Sequence, residues 1–279
     1  MTDAKWKWAF ASVRGTSHIK SEMPCQDQSD CRVIETSDGR SVLVAVVADG
    51  AGSAKQAEVG AELACNLFQS EMTEFFGQNG LLSSLTRKFM QNWLTRFQSE
   101  ATRRADSEGL KLRDYACTLL AAIVEGEQAV MLQIGDGAIV YSTPDAPDEY
   151  GHIFWPQKGE YENQTYFATD EAATANMNFV SVNEYIQDLS LFTDGIQRLA
   201  LHFQSKTAHT PFFRMMFSPL RSVEAGYSET LSTSLAAFLD SPQVNNRTDD
   251  DKTLVLATRQ AKNDATLKED KPRYDDSVI

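Results

Sequence analysis

The 279-residue sequence has few of the features that mark membrane, disulfide-rich or zinc-binding proteins. It contains no apolar run near the length of about 18 residues that a membrane-spanning helix needs, and it begins without a hydrophobic signal region. Its four cysteines (Cys25, Cys31, Cys65 and Cys117) form no CxxC pair and have no histidine at zinc-ligand spacing. We therefore expect free thiols and a cytoplasmic location, with no membrane partner.

Basic residues are also scarce. The 26 lysines and arginines are outnumbered by 39 aspartates and glutamates, which gives a net charge of -13. Such a charge argues against nucleic acid or an anionic membrane as the main partner, because both would be repelled. The 42% hydrophobic content supports a sizeable core.

One buried strand is predicted within the first fifth of the chain. Residues 42–48 are seven small or branched apolar residues, a run typical of a strand buried on both faces. Asp49 and Gly50 follow directly, and helical periodicity begins at about Ala54. The strand therefore ends in an acidic glycine turn, where burial disfavours a carboxylate unless cations or donors compensate.

The rest of the pattern predicts an α+β fold. Strands are expected at about 6–13, 31–36, 41–48, 117–124, 129–134, 138–142, 186–192 and 252–257, and helices at about 54–76, 81–107, 211–217 and 230–239. We interpret residues 117–142 as an antiparallel meander, with Gly135-Asp136-Gly137 open to being a plain hairpin connection. Residues 16–28 are expected to form a loop.

Two segments stand apart from this core. Residues 143–180 are irregular, with only short strand-like pieces at 153–155 and 165–167, and we interpret them as a lid or flap, with disorder as the alternative. Residues 261–279 are charged and low in apolar content, which predicts a disordered tail. A single domain over residues 1–260 is therefore expected.

Acidic residues border several of the predicted strands. Asp49, Asp136 and Asp194 each follow one, Asp250 precedes the last, and Asp27 lies just before the second. Each alone could be a turn or a cap. Together, at strand ends that converge, they would repel one another unless cations neutralise them. Oxygen ligands without histidine or cysteine favour hard divalent ions, Mg²⁺ or Mn²⁺.

These acids, in this order, resemble the metal-dependent protein phosphatase family, the 2C type of serine/threonine phosphatase, from about Phe10 to Ala257. The opening Gly15-Thr16-Ser17-His18 with Pro24-Cys25-Gln26-Asp27 resembles a bacterial branch whose members are associated with kinase partners. The resemblance implies a four-layer α-β-β-α sandwich of two antiparallel sheets flanked by helices. It also implies hydrolysis of phosphoserine or phosphothreonine in proteins by a water activated between two divalent ions.

The resemblance also implies roles for single residues. Asp49 would bridge both metals and the Gly50 carbonyl would bind one of them, while Asp194 and Asp250 would bind the other. Asp136 matches a position that holds a third, weaker metal in bacterial relatives. Asp27 matches an acid that holds a metal or a metal-bound water.

The sequence departs from the family pattern at two positions that act on the substrate in many members. Ala51 stands where many members have a histidine proposed as general acid, and Glu22 stands where many have a phosphate-binding arginine. Arg14, His18 or Lys20 could replace that arginine in substrate binding.

Two alternatives therefore stay open for function. One is a non-catalytic, metal- and phosphoprotein-binding regulator, and the other is a phosphatase of a small metabolite. In addition, either Asp250 or the adjacent Asp251 could be the metal ligand.

Overall fold

The computed structural model describes residues 5–157 and 165–259. Its strands are β1 Lys7–Val13, β2 Asp27–Glu35, β3 Ser41–Asp49, β4 Leu119–Glu125, β5 Gln128–Ile134, β6 Ala138–Thr143, β7 Ala146–His152, β8 Asn178–Val182, β9 Asp188–Phe192, β10 Leu201–His202, β11 Thr207–Ala208, β12 Gly226–Tyr227 and β13 Lys252–Thr258. Its helices are α1 Thr16–Lys20, α2 Ala57–Gly77, α3 Arg87–Glu108, α4 Ala173–Asn176, α5 Gln197–Ala200, α6 Thr210–Ser222, α7 Glu229–Leu239 and α8 Pro242–Asn245, with 3₁₀ turns at Leu82–Ser84, Leu112–Tyr115 and Asp194–Ile196.

Two sheets form the centre of the molecule. One has the order β2-β3-β4-β5-β8 and the other β12-β1-β13-β9-β6-β7, while β10 and β11 form a separate hairpin. All pairs within the two sheets are antiparallel except the short β1–β12 pair. The expectation of two antiparallel sheets is therefore confirmed.

Strand β3 shows why the layers stack as they do. Its alternate residues Leu43, Ala45 and Val47 pack toward strands of the six-stranded sheet. Val42 and Val44, on the opposite face, pack against side chains of α2 and α3. Because both faces are covered, the strand is apolar throughout, as its sequence predicts.

The outer layer on the other side is made by α6 and α7. A cluster that includes Phe213, Phe217 and Leu235 packs against Leu254 and Phe192 of the six-stranded sheet. The order of layers is helices, sheet, sheet, helices, so the predicted α-β-β-α sandwich is confirmed. Among the described residues, no helix combines the length and apolar character that a bilayer crossing requires.

Helix α3 begins later than its apolar periodicity suggests. Thr86 caps it by accepting a hydrogen bond from the Phe89 amide at 3.2 Å, and Gly109, with φ of +67°, ends it. The preceding residues form a 3₁₀ turn at Leu82–Ser84. The predicted start at residue 81 therefore merged two elements that the cap separates.

Several local predictions are wrong. Gly135-Asp136-Gly137 is not a hairpin within a meander, because β5 belongs to the five-stranded sheet and β6 to the six-stranded one. Residues 16–28 contain the short helix α1. The pieces at 153–155 and 165–167 are not strands. The segment 143–180 instead contributes β7, α4 and β8.

The prediction for residues 143–180 failed because the strand there forms through tertiary contacts and not through its local sequence. Strand β7 has the polar sequence APDEYGH, and it forms because it pairs with β6 at the edge of a sheet. Residues 158–164 and the tail at 261–279 lie outside the described residues, so the flap and the domain limits stay predictions.

Candidate metal centre

The acids that the sequence singles out meet at one end of the two sheets. Asp49 ends β3 and lies directly across from Asp27, which begins β2. Asp136 lies in the connection from β5 to β6, and Asp194 follows β9. Asp49, Asp136 and Asp194 each offer a carboxylate oxygen, and these oxygens all lie within 4.8 Å of one another. The sandwich therefore brings three of the predicted ligands together.

The turn at Asp49 is held by a threonine and requires a glycine. The Asp49 amide donates to the Thr118 hydroxyl at 2.9 Å, and the Thr118 amide donates to the Asp49 carbonyl at 2.7 Å. The Gly50 amide donates to the Gln26 carbonyl at 3.0 Å. A Cβ on Gly50 would lie 2.5 Å from the Ala57 carbonyl oxygen. Only glycine lets the start of α2 approach this closely.

Asp27 is buried and incompletely paired. The Thr193 hydroxyl donates to its Oδ2 at 2.7 Å, and the Thr253 amide donates to that hydroxyl at 3.1 Å. The other oxygen, Oδ1, has no hydrogen-bond partner among the described residues. A buried carboxylate oxygen without a donor is costly unless a cation completes its environment.

Asp136 is placed by backbone geometry and by neighbouring polar groups. Gly135 has φ of +107°, a conformation that favours glycine. The Thr165 hydroxyl donates to Asp136 Oδ2 at 2.8 Å, and the Gln197 amide group donates to the Asp136 carbonyl. Since Gln197 begins α5, just after Asp194, these contacts tie the third acid to its neighbour.

The two adjacent acids before β13 have different surroundings. The Asp251 carboxylate is buried and accepts hydrogen bonds from the amides of Gly15 and Gln26, and its Oδ2 lies 2.9 Å from His18 Nδ1. Asp250 is exposed and lies close enough to raise the pKa values of Asp49 and Asp194. Protein donors therefore occupy both oxygens of the Asp251 carboxylate, and Asp250 as the metal ligand stays a prediction.

The electrostatics of the cluster are those of a cation site. Burial raises the pKa of Asp49 well above its usual value, and the charges of Asp27 and Asp194 raise it further. Burial, reinforced by Asp136 and Asp250, raises the pKa of Asp194 to about 7. Burial also raises the pKa of Asp27, although its hydrogen bond from Thr193 opposes this. Without a cation, these groups repel one another at neutral pH.

The donor set fits hard divalent ions. The candidate ligands are carboxylates with one backbone carbonyl, and Asp27 Oδ1 and Asp194 Oδ1 are both buried without a partner among the described residues. Oxygen-only ligands of this kind are those that hard divalent cations prefer.

The three candidate substrate-binding residues differ in availability. Arg14 is exposed and donates to the Met23 carbonyl at 3.3 Å. Lys20 is exposed at the end of α1. His18 is partly buried and paired with Asp251. Their roles in substrate binding stay predictions. Glu22, at the position of the expected arginine, has φ of +57°.

The sequence does not reveal the contacts of Thr118, Thr193 or Asp251, the last of which was considered only as a metal ligand. Each carried a weak signal. Thr118 is the one polar residue in the apolar run 117–124, Thr193 directly precedes Asp194, and Asp251 belongs to an acidic pair entering a strand. Only the pairing of distant strands shows what each of them holds.

Comparisons with known proteins show which proteins this chain is similar to. The family model described as "Protein phosphatase 2C" matches residues 14–240. "Serine/threonine-protein phosphatase 3" of Escherichia coli (strain K12) is 37% identical over 256 residues, which cover 90% of this chain and 98% of that protein.

Solved structures share the fold at low identity. A bacterial serine phosphatase matches with a TM-score of 0.61 at 15% identity, over 91% of this chain and 98% of that chain. PppA of Pseudomonas aeruginosa, described as a key regulatory component of T6SS, matches with a TM-score of 0.60 at 14% identity, over 92% and 99% of the two chains.

Proposed function

The chain belongs to the protein phosphatase 2C family and is a phosphoprotein phosphatase; on that premise we propose that it hydrolyses phosphoserine and phosphothreonine with the help of two divalent cations, Mg²⁺ or Mn²⁺. The observation that carries the proposal is the convergence of oxygens from Asp49, Asp136 and Asp194 within 4.8 Å. When bound, such cations lower the pKa of a coordinated water and offset charge on the phosphoryl oxygens.

Each acid has a proposed place in this site. Asp49 would contact both ions and the Gly50 carbonyl one of them, with Asp194 and Asp250 on the other. Asp136 would hold a third, weaker ion. Asp27, whose Oδ1 has no hydrogen-bond partner among the described residues, would hold an ion or orient a water.

The protein's own groups prepare the centre for a phosphate ester. Thr193 donates to the Asp27 carboxylate at 2.7 Å, and Thr118 holds the backbone of Asp49 through hydrogen bonds of 2.7 and 2.9 Å, so both acids are placed before charge develops. Phosphate-monoester hydrolysis is among the slowest uncatalysed reactions, so fixed electrostatic groups contribute much of the acceleration.

We further propose that the substrates are phosphorylated proteins of a bacterial signalling system, among them a serine/threonine kinase or its targets. The support is the 37% identical serine/threonine phosphatase and the regulatory description of PppA. A cytoplasmic location is proposed because the four cysteines are free thiols, which a reducing compartment preserves.

One observation favours the regulator as a second candidate. Ala51 follows the Asp49 turn, and its methyl side chain cannot donate a proton to the leaving group. The acids are all retained, however, and they are what hydrolysis needs most.

The test is phosphate release from a phosphoserine peptide and a phosphothreonine peptide, with Mn²⁺ and with EDTA. We expect turnover with Mn²⁺ and none with EDTA. An aryl phosphate and a panel of phosphorylated metabolites run in parallel. Preference for a metabolite would reject the protein substrate, and no turnover of any ester despite Mn²⁺ binding would favour the regulator.

A further inference from the structure

Asp251 forms hydrogen bonds to two other parts of the chain, the segment from Gly15 to His18 and the residue Gln26. Its Oδ1 accepts from the Gly15 amide at 2.5 Å, its Oδ2 accepts from the Gln26 amide at 2.5 Å, and His18 Nδ1 lies 2.9 Å from the same Oδ2. The residue is 2% exposed. We call Asp251, the amides of Gly15 and Gln26 and the His18 ring the Asp251 cluster.

The Asp251 cluster lies between two candidate ligands from different sheets. Asp250 leads into β13 of the six-stranded sheet, and Asp27, adjacent to Gln26, begins β2 of the five-stranded sheet. The two ligands are distant in sequence and are not paired with each other as strand neighbours. Their spacing therefore depends on contacts outside the sheet hydrogen bonds.

Further contacts hold the segment that contains Gly15 and Ser17 against residues 249–251. The Ser17 amide and hydroxyl both donate to the Asp249 carbonyl, at 2.9 and 2.6 Å. The Asp251 amide donates to Asp250 Oδ1 at 2.9 Å. A Cβ on Gly15 would lie 2.3 Å from the carbonyl carbon of Asp250. The start of α1 is thus packed directly on the backbone that carries the ligand.

We propose that Asp251 is a positioning residue for the metal centre, which fixes the spacing of Asp27 and Asp250 through the Asp251 cluster. The inference rests on the proposed function. Asp27 and Asp250 both belong to the group of acids around Asp49, whose charges repel one another before a cation binds, so their backbones must be held from outside. A carboxylate does this well, because charge-assisted hydrogen bonds are shorter and stronger than neutral ones.

An amide cannot replace this carboxylate. An asparagine at 251 has a single acceptor oxygen, whereas the cluster needs acceptors on both sides. Its NH₂ group would face either the Gly15 amide or the Gln26 amide, so one backbone donor would be left buried and unpaired. The segment that loses its contact should move away, and the distance between Asp27 and Asp250 should change with it.

His18 also has a place in the Asp251 cluster. Its ring contributes to the cluster from the side that solvent reaches, with 17% of its side chain exposed. Replacing His18 by glutamine would remove the ring contact but would leave both backbone amides paired to Asp251. This variant should therefore weaken the Asp251 cluster while both backbone segments stay bound to Asp251.

A matched control can distinguish the positioning role of Asp251 from a purely structural role. Asp188, at the opposite end of β9 from Asp194, is also a fully buried carboxylate. It accepts hydrogen bonds from four side chains: Ser142, Tyr150, Arg221 and Thr258. Asp188→Asn should lower stability without reaching the metal centre.

The experiment measures Mn²⁺ binding by titration calorimetry and the melting temperature in EDTA, for the wild type, Asp251→Asn, His18→Gln and Asp188→Asn. Loss of a group that orients metal ligands typically weakens metal binding by about 10- to 100-fold, which is the loss we expect for Asp251→Asn. His18→Gln should weaken binding by a smaller factor. Asp188→Asn should melt lower and bind Mn²⁺ like the wild type.

The outcomes separate the two proposals. Wild-type Mn²⁺ affinity in Asp251→Asn, with a loss of melting temperature like that of Asp188→Asn, would overturn the positioning role and leave the proposed function intact. If Asp251→Asn does not fold, His18→Gln decides, and unchanged Mn²⁺ affinity in that variant would overturn the inference. A wild type that binds no Mn²⁺ would overturn both.

Discussion

Removing one carboxylate from the metal centre should stabilise the protein when no metal is present. The pKa of Asp194 is raised to about 7 in the folded protein, from an ordinary value of 3.8, by burial and by the charges of Asp136 and Asp250. Between these two pH values the folded protein keeps a proton that the unfolded chain has lost. Stability therefore falls as the pH rises from about 4 to about 7.

The size of the effect follows from that difference in pKa. At pH 8 it corresponds to on the order of 4 kcal/mol, an upper bound because neighbouring acids share the proton. Asp194→Asn removes the charge and should recover at least half of this. For a domain of this size, about 2 kcal/mol raises the melting temperature by roughly 4 to 8 °C.

The assay is thermal unfolding of the wild type and Asp194→Asn in EDTA, from pH 5 to pH 8. The advantage of the variant should be greatest at pH 8 and should shrink as the pH falls. Asp106→Asn on the exposed side of α3 removes the same formal charge and should change little. With Mn²⁺ at about a hundred times its Kd, the wild type should gain about 2.7 kcal/mol and Asp194→Asn much less.

A variant that melts below the wild type at every pH in EDTA would refute this reasoning. So would a difference between the two proteins that stays constant from pH 5 to pH 8. Either result would mean that the Asp194 carboxylate is satisfied by protein donors and does not need a cation.

Three further predictions concern single positions. Among alanine variants of Arg14, His18 and Lys20, at least one should raise KM on a phosphopeptide more than it lowers kcat; wild-type KM in all three would end the idea that one of them binds phosphate. Asp250→Asn should melt higher than the wild type in EDTA and gain little from Mn²⁺, whereas a simple turn cap predicts a lower melt with an unchanged metal response. Gly195→Ala should severely lower soluble yield or melting temperature, because its Cβ would lie 1.8 Å from a backbone carbonyl oxygen; a normal melt would show that the backbone yields easily.

The sequence predicts the central strand well because burial is visible in the residues of a single strand, whereas the order of the layers was implied only by the family resemblance. Residues 42–48 are apolar at every position, and this pattern alone indicates a strand covered on both faces. It could not show that β5 and β6 belong to different sheets. A glycine-acid-glycine connection looks the same in a hairpin and in a crossing between sheets, and only strand pairing separates them.

The candidate site was predictable to the level of its acids and no further. A carboxylate next to a buried strand is visible in a sequence, so Asp49, Asp136 and Asp194 could be selected together. What holds them was not visible. Thr193 and Asp27 are 166 residues apart, and Asp251 and His18 are 233 apart, so no local pattern connects the members of either pair.

The most direct test of the metal-dependent mechanism is phosphate release from a phosphoserine peptide by Asp49→Asn and by the wild type, both with saturating Mn²⁺ and both shown to be folded. Asp49 is the acid proposed to contact both ions, so its loss should lower turnover by at least about a hundredfold, the scale lost with a principal electrostatic group. Full activity in a folded Asp49→Asn protein would contradict the account.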